Sequence, residues 1–108
     1  MEERRTAERV RLTLQTHWET LTSEGRGSTS DLSSMGCFVL TGGEVFAGEL
    51  VRLEVFFGDR VLTLWGEVVY HIAEMGFAIR FQFENEAERQ RLTKLIERFG
   101  VRPEPPAT

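Results

Sequence analysis

The feature that most limits what this chain can fold into is a change of hydrophobic period. Apolar residues fall on every second position along most of its length, then shift to helical spacing after Asn85. Val10, Leu12, Leu14, Thr16 and Trp18 alternate, which predicts a strand from about Val10 to Trp18 with one buried face. Residues 22–30 are rich in Ser, Thr and Gly, and Gly25 and Gly27 interrupt any pattern. This stretch reads as a loop or a short strand entering a tight turn at Asp31-Leu-Ser-Ser-Met-Gly36. Cys37 to Leu40 is a short apolar run closed by Gly42-Gly43, and it predicts a further strand. Val51, Leu53, Val55 and Phe57 alternate up to Gly58-Asp59, a pair suited to a two-residue hairpin loop. The return strand is expected from about Val61 to His71, with Gly66 in its middle marking a bulge or bend. Phe77, Ile79, Phe81 and Phe83 alternate in the last strand.

Asn85 has the character of a helix N-cap, with Glu88 three residues on, and Leu92, Leu95, Ile96 and Phe99 follow helical spacing as far as Gly100. A C-terminal helix of about four turns is predicted, its apolar stripe packed on the sheet. The expected fold is all-β with one helix: a six-stranded antiparallel barrel, closed or nearly closed, because closure removes the exposed edges of a lone sheet. The 108 residues suit a single domain over 1–100, with residues 1–9 as a mobile arm. Residues 101–108 hold all three prolines and are expected to form a flexible tail.

Charge narrows the function. The net charge of -4 and a single lysine, Lys94, argue against a long polyanion, whose phosphates need a broad basic surface, so no nucleic acid partner is expected. A small barrel binding single-stranded nucleic acid through its aromatics is disfavoured on the same ground. The cations are concentrated instead: Arg4, Arg5, Arg9 and Arg11 all fall within residues 1–11, a cluster suited to a small anion. One cysteine and two histidines exclude an internal disulfide and are too few for a zinc site. Apolar runs of a few residues exclude a transmembrane helix, and Met1 to Arg5 lacks the apolar stretch of a signal peptide, so the cytoplasm is the expected location, without membrane insertion. His17, His71, Asp31 and Ser33 do not suggest a nucleophilic triad, because His17 is out of phase with the apolar face of its strand and no nucleophile-elbow motif is present. No enzyme is expected. Cys37, Trp18 and Trp65 read as packing residues.

Two motifs stand above this background. Arg5-Thr-Ala-Glu-Arg9 lies just ahead of the first strand, and Asp31-Leu-Ser-Ser-Met-Gly36 begins 22 residues after Arg9. With Gly66-Glu-Val-Val-Tyr70 and Gly76-Phe-Ala-Ile-Arg-Phe81 further on, they resemble the signature of the PilZ family, over about residues 4–99. The resemblance implies a six-stranded barrel with a C-terminal helix and a receptor for the bacterial second messenger cyclic di-GMP, working with a downstream protein partner and needing no cofactor. It also implies that Arg5 and Arg9 bind the ligand, since a guanidinium both grips phosphate oxygens and stacks on a purine. Asp31 and Ser33 are the expected partners of a guanine edge, because a carboxylate accepts from its N–H donors and a hydroxyl does both. Gly36 is expected to shape the turn, through a positive φ or a close backbone approach. Arg80 is a weaker ligand candidate, on the outward face of the last strand. Arg4, doubling the first arginine, is the mark of members that take two intercalated ligands. Ligand capture is expected to order the N-terminal arm against the barrel. The alternative is a PilZ-fold adaptor that binds a protein and no nucleotide, as members that have lost these motifs do.

Overall fold

The computed structural model describes residues 13–99. The arginine arm, the start of the predicted first strand and the 101–108 tail lie outside the described residues. Six strands form, β1 Gln15–Glu19, β2 Glu24–Ser30, β3 Gly36–Leu40, β4 Leu50–Phe57, β5 Arg60–Ile72 and β6 Gly76–Gln82, followed by helix α1 Glu86–Phe99. Every pairing is antiparallel, and the order β1-β2-β3-β6-β5-β4 closes because β4 pairs back with β1. The predicted barrel and helix are therefore the observed fold.

Strand alternation fills the interior. Val51, Leu53, Val55 and Phe57 of β4 point inward and are fully buried, facing Val39 and Phe77 from β3 and β6. Gly58, at φ 63, opens the two-residue loop that joins β4 to β5. Trp18 is the largest interior side chain. Its ring meets Phe77 edge-on at 5.3 Å, and its Nε1–H donates to Thr41 Oγ1 at 3.1 Å, which satisfies the one polar atom of a buried indole.

Trp18 also explains β2, a full seven-residue strand where the sequence read as a loop or a short strand. Gly25 stands opposite Trp18 in the β1–β2 register, and a Cβ there would lie 2.7 Å from the ring. The glycine that breaks the strand pattern is required by the tryptophan it faces.

Gly66 does not carry the expected bulge. It pairs regularly with Val51 and Phe81, and an added Cβ would lie 2.3 Å from Ile79 Cγ2, so its role is close packing. The irregularity falls further along, between Val68 and Tyr70. At the helix start, Glu88 N–H donates to Asn85 Oδ1 at 3.0 Å, while Glu88 Oε1 accepts from Glu84 N–H at 3.0 Å. The first bond satisfies a donor that a first turn leaves open, and the second ties the residue before the N-cap to the helix. Leu92, Leu95 and Ile96 join the barrel core, and the half-exposed Phe99 ring meets Phe57 at 5.9 Å.

Candidate functional site

The Asp31–Gly36 turn joins β2 to β3. Asp31 takes a left-handed conformation, φ 53, which a short polar side chain tolerates better than most, and its carboxylate is exposed. Leu32 next to it is fully buried and pins the turn to the core. Ser33 is also buried: its N–H donates to Gly36 O at 3.0 Å, and its Oγ accepts from Met35 N–H at 3.0 Å. The hydroxyl donates to Gly36 O at 3.4 Å, so Ser33 chiefly braces the turn and keeps one acceptor lone pair in reserve. Met35 O accepts from Phe81 N–H at 2.8 Å and ties the turn to β6.

Of the two roles open to Gly36, the structure selects close approach. Its φ is not positive, and an added Cβ would sit 2.0 Å from Ile79 O on the neighbouring strand. Arg80 stands directly opposite Gly36 in the β3–β6 register. Its side chain is exposed and, among the described residues, has no ion-pair partner. Asp31, Ser33, Gly36 and Arg80 thus line one groove on the outer face of the barrel, about 560 Å³ in volume. That size lies within the range of small-molecule sites. Arg4, Arg5 and Arg9 lie outside the described residues.

Apart from Ser30 the rest of the groove is apolar, and none of it was expected at the ligand from the sequence. Phe38, Val69, Tyr70, Ile72 and Met75 line it, and all but Phe38 are roughly half exposed. Strict alternation from Leu64 and Val68 assigns Tyr70 to the interior; the slip between Val68 and Tyr70 turns it outward. A valine pair followed by an aromatic in a long strand is the one sequence signal that could have raised this, and it is weak. Trp65, expected to pack, is 46% exposed on the outer face, between Arg52 and Gln82 in register.

Among the described residues no group of His, Cys, Asp and Glu could hold a metal ion. Cys37 lies beneath the groove, and burial pushes its thiol up to about 12, which keeps it protonated and un-nucleophilic at neutral pH. Neither histidine lines the groove. His17 lies between Glu24 at 3.1 Å and Glu54 at 3.4 Å, so it does not join Asp31 and Ser33. Among the described residues no helix is long and apolar enough to cross a membrane.

Comparison with known proteins adds two findings. Eleven chains of solved structures match; among them is the inhibitor of motility MotI/DgrA of Bacillus subtilis, with a TM-score of 0.65 and 19% identity. The match covers 90% of this chain and 52% of that one, so this chain spans about half of that protein's length. At such identity the likeness speaks for the barrel and helix. No match is found among curated proteins. The family model described as PilZ domain matches residues 3–98, nearly the whole sequence, and takes in both the arginine motif and the turn that forms the groove rim. The chain belongs to the PilZ domain family.

Proposed function

We propose that this domain is a cyclic di-GMP receptor without catalytic activity, in which the dinucleotide bridges Arg5 and Arg9 and the groove bounded by Asp31 and Arg80. The observation that carries this reading is the groove's rim, where an exposed carboxylate and an exposed guanidinium, without a partner among the described residues, face the same concavity. The carboxylate suits the N–H donors of a guanine edge, and the guanidinium suits either the acceptor atoms of that base or a phosphate. Each charge-assisted contact contributes roughly 1.5–3 kcal/mol, so Arg5 and Arg9 together supply a large part of the roughly -8 kcal/mol of micromolar binding. Capture of the ligand orders the arginine segment against the barrel, and that ordered state is what a downstream protein reads in the cytoplasm.

Isothermal titration at moderate salt tests the proposal. Binding is expected, with at least tenfold loss in Arg5→Ala or Arg9→Ala and weaker affinity as salt rises. A stoichiometry of two that falls to one in Arg4→Ala would assign Arg4 to a second, intercalated ligand. Heats equal to dilution at high ligand concentration refute the receptor reading. A second reading, an adaptor that binds protein alone, draws on the likeness to a protein named as an inhibitor of motility. It gains if arginine variants keep every cellular phenotype while substitutions on the outward face of α1 abolish it.

A further inference from the structure

The end of the barrel away from the Asp31 turn is built from three connections, residues 20–23, 41–49 and 73–75. It holds the two most exposed large apolar side chains among the described residues, Leu21 at 99% and Phe46 at 63%. A single exposed leucine on a loose loop needs no explanation, but these two sit on turns that are held. Thr20 Oγ1 accepts from Thr22 N–H at 3.2 Å and Ser23 N–H at 3.1 Å, which fixes the turn around Leu21. Phe46 N–H donates to Glu49 Oε1 at 2.9 Å, while Glu49 N–H donates to Phe46 O at 3.1 Å. Val45 beside it is buried, and Gly48 N–H donates to Val68 O at 2.7 Å, so Phe46 is held outward by a turn anchored on both sides. Ser23 Oγ donates to Glu44 O at 3.4 Å and joins the two turns. Thr41 N–H donates to Met75 O at 3.0 Å and brings the third connection, with its half-exposed Met75, to the same end.

Charge selects what can cover this surface. The three connections contain Glu44, Glu49 and Glu74 and no Lys or Arg, and Glu19 and Glu24 flank the first of them. Arg52, the cation in register with Glu19, is paired with Glu19 at 3.1 Å and Glu54 at 3.2 Å, and Arg26 stands two positions further into β2. Apolar side chains ringed by carboxylates are repelled by an anionic membrane surface and by nucleic acid. A second copy meeting the same end would set like charges against each other. A cationic partner with apolar residues meets neither obstacle. We propose that this end of the barrel is a protein-docking surface, with Leu21 and Phe46 as anchors, for a basic amphipathic helix of another protein whose Lys and Arg residues border its apolar stripe. The apolar anchors supply affinity, and the surrounding carboxylates set orientation. The surface lies at the other end of the domain from Asp31 and α1, so it stands whether or not the dinucleotide binds.

Fluorescence anisotropy of labelled helical peptides of about five turns, titrated with the full chain, tests this. One peptide carries a leucine stripe bordered by lysines, and the other carries the same stripe bordered by glutamates. The lysine peptide is expected to bind, and the glutamate peptide to bind at least tenfold more weakly, because like charges across an interface repel. Leu21→Ser and Phe46→Ser each weaken binding of the lysine peptide at least fivefold, the order expected for losing the burial of one large apolar side chain. Val61→Ser, which removes an exposed apolar residue beside Arg60 at the opposite end, stays within twofold of the parent. All three side chains are exposed, so the variants keep the parent's cooperative melting. No binding of the lysine peptide by the parent overturns the proposal, as does equal binding by the parent and the Leu21 and Phe46 variants. Sedimentation with phosphatidylglycerol vesicles that is lost in Phe46→Ser overturns it in favour of a membrane.

Discussion

Replacing Gly36 by alanine separates a structural role for this glycine from a role at the ligand. The added Cβ would sit 2.0 Å from Ile79 O, 3.1 Å from its carbonyl carbon and 3.3 Å from Arg80 Cα. All three are backbone atoms, so no side-chain rotation relieves the contact. Restoring an ordinary carbon–oxygen separation requires β3 to move about 1.3 Å from β6. One short bond ties the turn to β6 and resists that movement, Phe81 N–H to Met35 O at 2.8 Å. Overpacking costs about 1–3 kcal/mol, and weakening that hydrogen bond adds about 0.5–1.5 kcal/mol. A loss of about 3 kcal/mol corresponds to a fall in melting temperature of roughly 12–24 °C for a domain of this size. Gly42 is the control: a Cβ there meets nothing within 4 Å and its φ is not left-handed, so Gly42→Ala is expected to gain about 0.4–1 kcal/mol. Thermal unfolding followed by far-UV circular dichroism gives both values. A Gly36→Ala variant that melts within about 2 °C of the parent yet loses ligand would refute the backbone argument and move the glycine's role to the ligand.

Three further outcomes are expected. Because burial raises the Cys37 thiol from 9.0 to about 12, the unfolded chain gives up that proton first as pH rises, and stability falls by roughly 1 kcal/mol between pH 8 and pH 10. Urea midpoints of the parent and Cys37→Ala at the two pH values read the difference, and equal slopes would contradict it. Asn85→Ala removes the acceptor for Glu88 N–H and is expected to cost about 1 kcal/mol, measured by the same denaturation and contradicted by an unchanged midpoint. Arg80→Ala leaves stability within about 0.5 kcal/mol, because the side chain is exposed, while weakening cyclic di-GMP roughly tenfold; a titration curve superimposing on the parent's would remove Arg80 from the site.

What could be read in the sequence was what a single segment dictates about itself. The β4–β5 hairpin was legible because apolar residues alternate up to the Gly58-Asp59 loop, and Gly58 takes the positive φ that such loops demand. The helix was legible because Asn85 marks its start and Leu92, Leu95 and Ile96 share a face. What depends on a partner strand was not. β2 has poor strand composition of its own and exists because Gly25 fits beneath Trp18 and Gly27 approaches Leu40 O, contacts that no local pattern contains. Gly36 could be assigned two roles from sequence, and only its register with Arg80 decides between them. Tyr70 was lost to alternation, since a one-residue slip changes the face of every residue after it.

The location of the groove follows from the same register. The outer surface of a small barrel is convex, so a concavity there must come from outward positions with little side chain, bordered by positions with much. β3 and β6 supply the small residues, with Gly36 opposite Arg80 and Ala78 opposite Phe38. β5 supplies the wall, because its slip brings Tyr70 outward beside Ala78. Gly36 is thereby under two constraints at once: its missing Cβ lets β3 lie against Ile79 O, and it leaves space beside the Arg80 side chain. The turn that ends in Gly36 is held at its other end by buried Leu32, so the exposed Asp31 carboxylate is fixed relative to both strands. A motif spaced as Asp-x-Ser-x-x-Gly therefore specifies a cavity: the serine braces the turn, the glycine admits the neighbouring strand, and the aspartate is left exposed at the rim.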